Sequence, residues 1–278
     1  MIYLILAIIS SMLVSVIMRL SETRIHNNLS MLASNYLMCT AIAALYTGTT
    51  AVFPANDALP VSLGLGVISG FFYLSSFILL QWNIRENGVS LSSMFMKLGV
   101  MVPSLMAIFC FHEVPKFTQV IGMVLAVVAI LLINLDKGSG HVASFSGLIL
   151  LLLAGGATDA MSKVHEELGS AALKSHFLMY TFFVALVLCA ALCVIKGQKL
   201  TGSDLGFGLL IGVPNYFSAR FLLLSLTDVP AMIAYPTYSV ATIVLVAVVS
   251  MVLFSEKLSR RQIGAMAIIM AALALLNI

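Results

Sequence analysis

Charge is what this sequence has least of. Lys, Arg, Asp and Glu together make up 9% of its 278 residues, where a soluble domain of this length carries about 25%. With 61% hydrophobic residues, folding in water would need a larger buried core than one chain of this size builds. That excludes a water-soluble globular protein and leaves lipid as the solvent. Cysteine is sparse too. Cys39, Cys110, Cys189 and Cys193 all fall inside apolar runs, which argues against a disulfide framework or a zinc site. The first twenty residues lack a basic start and a small-residue cleavage site, so they read as a membrane span and not as a signal peptide. A formal charge of +3 is too small to imply a nucleic-acid partner. Catalytic clusters are missing as well. His26, His112, His141, His165 and His176 do not converge, four of them fall in loops, and no paired acids or Ser/Lys dyad accompany them. The sequence therefore offers no catalytic residue, no metal site and no cofactor.

What is present is a series of apolar runs of membrane length. About 20 mostly apolar residues cross the hydrocarbon of a bilayer as a helix. Runs of that kind predict spans near 2–20, 30–50, 60–82, 89–111, 116–135, 144–163, 175–195, 205–226, 230–254 and 260–278. Two junctions, His112–Pro115 and Thr227–Val229, are tight enough for antiparallel neighbours. Pro115 and Pro230 suit first helical turns, and Asp228 and Ser259 suit N-caps.

The chain also repeats itself. Ser34–Thr40 (SNYLMCT) returns as Ser175–Thr181 (SHFLMYT), Gly64–Gly70 (GLGVISG) as Gly206–Gly212 (GFGLLIG), and Glu113 with Gln119 as Glu256 with Gln262. A repeat in so apolar a chain points to a transporter built from two related halves. Five spans per half is odd, so the second half enters the bilayer from the opposite face. The expectation is an all-α polytopic membrane protein: ten transmembrane helices as two inverted five-helix repeats, residues 1–135 and 144–278, within one transporter domain spanning 1–278. It would reside in the cell membrane as a multi-pass protein, monomer or homodimer. Basic residues in the loops stand nine to three against the side of the termini, which on the positive-inside rule puts both termini outside.

Charges inside the spans are the candidate functional groups. Lys97 lies about 12 Å into its span with no local charge partner. It either faces a watery cavity or snorkels to an interface. Arg220 lies about 9 Å from its helix end, and its guanidinium would suit a carboxylate or phosphate. Neither cation has a charged mate in the other half, and substrate contacts are expected where the halves differ. Asp159 is open to three readings: an ion pair with Lys163 four residues on, a counter-ion for Arg220, or a carboxylate that carries a coupling proton. Asn215 beside Pro214, and Tyr235 and Tyr238 around Pro236, mark either broken helices lining a site or packed kinks. Asn35 and His176 read as repeat mates, interhelical hydrogen bonders or ligands. The glycines at 64, 66, 70, 206, 208 and 212 read as close-packing faces.

The stretch Phe254-Ser255-Glu256-Lys257-Leu258-Ser259-Arg260-Arg261-Gln262-Ile263-Gly264 resembles the EamA-type signature of the drug/metabolite transporter superfamily, and His112-Glu113 through Gln119 and Gly122 is similar. The usual glycine before each glutamate is His112 or Ser255 here. The resemblance implies ten spans, with a central cavity walled by spans 1–4 and 6–9 and with spans 5 and 10 peripheral. It also implies both termini in the cytoplasm, against the loop charges. Each glutamate sits at the start of a helix, where the dipole favours an anion. The function expected is secondary transport of a small metabolite bearing an anionic or zwitterionic group, such as an amino acid, with proton or exchange coupling. The alternatives are an exporter of cationic or hydrophobic drug-like compounds, an intramembrane enzyme, and a non-transporting membrane scaffold.

Overall fold

The computed structural model describes residues 2–47, 52–103, 106, 116–118, 120–122, 124–125, 128, 143–229, 231–255 and 260–276. Helices dominate it: α1 (Ile2–Ser21), α2 (Asn28–Thr47), α3 (Leu59–Asn87), α4 (Val89–Leu98), α5 (Phe145–Leu168), α6 (Lys174–Ile195), α7 (Gly202–Asp228), α8 (Ala231–Phe254) and α9 (Arg260–Leu276). Seven helices among the described residues are long and apolar enough to cross a membrane. The chain is thus a multi-pass membrane protein, and its observed boundaries lie close to those read from apolar runs. Most of span 5 and the second half of span 4 lie outside the described residues.

Helix ends follow local chemistry. Ser144 caps α5 by accepting from the Gly147 N–H at 3.3 Å. Thr201 and Asp204 form a capping box on α7. The free carboxylate oxygen lobe of Asp204 also accepts from the backbone N–H groups of His26 (2.8 Å) and Asn27 (3.1 Å), tying the start of α7 to the start of α2. Gly88, at φ 81°, is the one residue between α3 and α4, a left-handed conformation that glycine reaches without a Cβ clash. Arg19 pairs with Glu22, and Lys163 with Glu167 at 2.7 Å, so the last turns of α1 and α5 carry the same kind of ion pair. The expected N-caps Asp228 and Ser259 do not gain support: Asp228 is the last residue of α7, and Ser259 lies outside the described residues.

The packing has an internal regularity. α1 packs on α7 and α8, α2 on α6 and α7, α3 on α5 and α6, and α4 on α5 and α8. Exchanging α1–α4 for α5–α8 leaves this set of neighbours unchanged. The glycines show it residue by residue. A Cβ on Gly66 would meet Phe177, Tyr180 and Thr181, and one on Gly208 would meet Met31, Ser34 and Asn35. On Gly70 it would lie 2.7 Å from the Thr181 oxygen and also meet Val184; on Gly212 it would lie 2.7 Å from the Asn35 oxygen and also meet Met38. The matched contacts 31 and 177, 34 and 180, 35 and 181, and 38 and 184 all differ by 146.

That register corrects one expectation. The strings Ser34–Thr40 and Ser175–Thr181 suggest an offset of 141 for α2 and α6, making Asn35 and His176 mates. The packing instead matches Asn35 with Thr181. Short apolar strings recur easily in so hydrophobic a chain, whereas a backbone-to-backbone contact tolerates only one register.

Ser255, directly after α8, has φ 52°. This is the left-handed C-terminal position that glycine commonly fills, which gives a physical reason for the glycine that the EamA-type signature usually has there. Of the signature itself, Glu113, Gln119 and Glu256 lie outside the described residues, as does the side chain of Gln262.

Three outcomes are expected in thermal unfolding of the purified protein. Gly70→Ala and Gly212→Ala should each destabilise by about 1–3 kcal/mol through overpacking. Gly64→Ala and Gly206→Ala, with nothing within 4 Å of a new Cβ, should be neutral or gain up to about 1 kcal/mol. Ser255→Gly should stabilise by about 1 kcal/mol by relieving the left-handed serine.

Candidate functional site

Where the two halves meet, the structure has a cavity of about 90 Å³ beside a second of about 60 Å³. The two share Tyr73, Phe77, Met96, Lys97, Ser218 and Tyr238 in their walls. Lys97 lies eight residues from the start of α4 and Tyr238 seven from the start of α8, so both sit about 10–12 Å from a helix end. That is near mid-bilayer.

The Lys97 ammonium donates to the Tyr238 hydroxyl at 2.7 Å and lies 3.9 Å from the centre of the Tyr238 ring. With its oxygen accepting from Lys97, Tyr238 has its own O–H left to donate, and Ser218 Oγ is 2.9 Å away. α4, α8 and α7 are joined through this relay. Nearby, Ser93 donates to Ser15 at 3.1 Å, linking α4 to α1. Lys97 therefore faces a cavity, as one of its two sequence readings has it.

Asp159 lies on the wall of the larger cavity with Lys97. A glycine seam puts it there. A Cβ on Gly99 would lie 2.7 Å from the Gly156 N, and one on Gly155 would lie 3.2 Å from the Met96 oxygen. α4 and α5 thus touch backbone to backbone, and Asp159, four residues past Gly155, projects from the same face. α4 breaks at this contact. The Gly99 and Val100 N–H groups donate three residues back, to Met96 at 3.2 Å and Lys97 at 3.3 Å. The interrupted helix is α4, whereas a break at Pro214 or Pro236 was one of two sequence readings. α7 runs through Pro214 and α8 through Pro236.

Other candidates fall in different places. Lys163 is ion-paired to Glu167, one turn further along α5. Arg220 donates to the Tyr216 hydroxyl at 3.1 Å and lies 3.9 Å from the centre of the Tyr46 ring. It is not in the wall of either cavity, so the structure does not bring it to Lys97 or Asp159. Asn215 borders the smaller cavity and donates to Asn35 Oδ1 at 3.2 Å. Asn35 is buried between α2 and α7, with Cys39 beside it. His176 is buried at the start of α6, 6.2 Å from the Tyr180 ring and outside both cavity walls. Tyr235 belongs to α8, and its side chain lies outside the described residues.

Sequence reading missed several groups. His165, expected in a loop, lies within α5, buried, 3.1 Å from Ser62 Oγ and stacked on Phe177 at 4.3 Å. Hydroxyls of Ser69, Ser76, Thr158, Ser162 and Thr181 line the larger cavity, and Thr181 Oγ1 has no partner in the structure. Their trace in the sequence is faint: Ser69 and Ser76 are seven apart, and Thr158 and Ser162 four apart, each pair on one helical face. Among the described residues no cluster of three metal-ligating side chains occurs.

A double-mutant cycle tests the relay. Lys97→Met and Tyr238→Phe, measured singly and together by thermal unfolding, should show a coupling of about 1–2 kcal/mol. Additive effects would contradict the contact.

Comparison with known proteins places this geometry. Residues 176–269, which cover α6–α8 and much of α9, match the model of the Small Multidrug Resistance protein family. The chain is 24% identical over 273 residues to an uncharacterized protein of Haemophilus influenzae, covering 92% of this chain and 91% of that one. A solved crystal structure shares its fold at a TM-score of 0.62 and 14% identity, over 98% of this chain and 96% of the other. Lys97 and Asp159 lie outside the segment matched by the family model, while Ser218 and Tyr238 lie inside it. These matches support a membrane family of the drug/metabolite transporter type, without singling out the EamA branch.

Proposed function

We propose that the protein is a secondary transporter that moves a small metabolite with an anionic or zwitterionic group by alternating access. The observation that carries this reading is Lys97 at mid-depth, held at a phenol rather than an acid, on the wall of a hydroxyl-lined cavity. Such a cation can take a carboxylate of the substrate while Tyr238 and Ser218 adjust their hydrogen bonds. The larger cavity's polar lining comes from both halves: Ser69, Ser76 and Lys97 from the first, Thr158, Asp159 and Ser218 from the second. Their exchangeable packing supports two inverted repeats, the architecture on which alternating access operates. Asp159 is the acid on that wall and the group available to carry a coupling proton.

The family match favours a second reading, export of cationic or hydrophobic drug-like compounds. Two features weigh against it. A cavity of about 90 Å³ is well below the ~300–1,000 Å³ of pockets for drug-sized ligands, and a lysine on the wall repels a cation. The transport-family similarity also favours a carrier over an enzyme.

Proteoliposome uptake of labelled alanine, lactate and tetraphenylphosphonium separates these readings. Saturable uptake of alanine or lactate is expected, falling at least about tenfold in Lys97→Gln, the scale of one lost charge-assisted hydrogen bond. Uptake of tetraphenylphosphonium alone, unchanged in Lys97→Gln, would contradict it.

A further inference from the structure

We infer that Asp159 is the internal counter-charge of Lys97, so that the empty cavity carries no net charge and the substrate-free protein switches between its two access states. The inference rests on the carrier reading and adds its mode: net movement of substrate, in place of strict exchange.

Among the described residues, Lys97 and Asp159 are the charged side chains on the walls of the two cavities. The direct partner of Lys97 is neutral, the Tyr238 hydroxyl. Arg220, the other cation deep in a span, is held by Tyr46 and Tyr216. The other titratable groups on these walls are the phenols of Tyr73 from α3 and Tyr238 from α8; α6 and α7 line them with hydroxyl, amide and apolar side chains. Contact between Gly99 and Gly156 fixes the separation of α4 and α5, and Lys97 and Asp159 line one cavity.

The consequence follows from the lipid environment. A carrier that changes access must move its binding site through a closed state with little water. A lone cation is costly there, and a balanced pair much less so. Without Asp159, the site could close only around a substrate anion, and the protein would exchange one substrate for another. With Asp159, it can close empty and return.

The test needs no substrate. Met96 lines both cavities, so Met96→Cys reports their access to a membrane-impermeant maleimide, with labelling of the parent chain's four cysteines as background. Reagent is supplied outside the proteoliposomes or enclosed in their lumen. The unaltered cavity should be labelled from both sides. Asp159→Asn should lose labelling from one side by about 50-fold or more, the factor that corresponds to one uncompensated charge at the bilayer centre. Asp159→Asn with Lys97→Met should restore two-sided labelling, and so should Asp159→Glu, which also shows that the position tolerates change. Two-sided labelling of Asp159→Asn, or no restoration in the double variant, overturns the inference. One-sided labelling of the unaltered cavity also overturns it, while the uptake assay still judges the carrier reading separately.

Discussion

An ammonium group at the middle of a membrane has few places to be. Left in hydrocarbon, Lys97 would cost at least ~2.5 kcal/mol, and about 12 Å separates it from the start of its helix. The protein answers with a phenol, an aromatic face and a cavity. Tyr238 accepts one hydrogen bond and is placed to donate the next to Ser218, so a single side chain satisfies the cation and links α4, α7 and α8.

Close backbone contacts fix where that cavity lies. Gly66 and Gly70 bring α3 onto α6, and Gly208 and Gly212 bring α7 onto α2, through matched atoms. Small residues let helices approach when hydrophobic burial gives little drive between them. Gly99 and Gly156 do the same for α4 and α5, and the helix break at Gly99 falls two residues after Lys97. The helix neighbours of α1–α4 match those of α5–α8, but the charges do not. Lys97 and Asp159 each come from one half only, so the binding surface is asymmetric on a symmetric frame.

Much of the frame was legible in the sequence. Apolar runs of membrane length placed the helices among the described residues within a few residues, because lipid demands both length and low charge. Gly66 and Gly70 with their counterparts 208 and 212 were recognisable as close-packing positions, whereas Gly64 and Gly206, read as part of the same faces, meet nothing within 4 Å of a new Cβ. The register of α2 against α6 was not legible, since Ser34–Thr40 and Ser175–Thr181 match as strings while different faces make the contact. Lys97 and Asp159 stood out because charge is rare in a span. Their place on one cavity wall depended on Gly99, Gly155 and Gly156, which in sequence look like ordinary small residues. Arg220 stood out equally, yet Tyr46 and Tyr216 hold it. Depth could be counted along the helix, but the direction in which a side chain faces needed the neighbouring helices.

The central claim is that Lys97 anchors the substrate. It is tested most directly by thermal stabilisation of the purified protein against a panel of small carboxylates, run in parallel on the unaltered chain and on Lys97→Gln. A ligand that binds only the folded state raises apparent stability in proportion to its occupancy. The account predicts at least one carboxylate that stabilises the unaltered protein and leaves Lys97→Gln unmoved. Ligands that stabilise both proteins equally would contradict it.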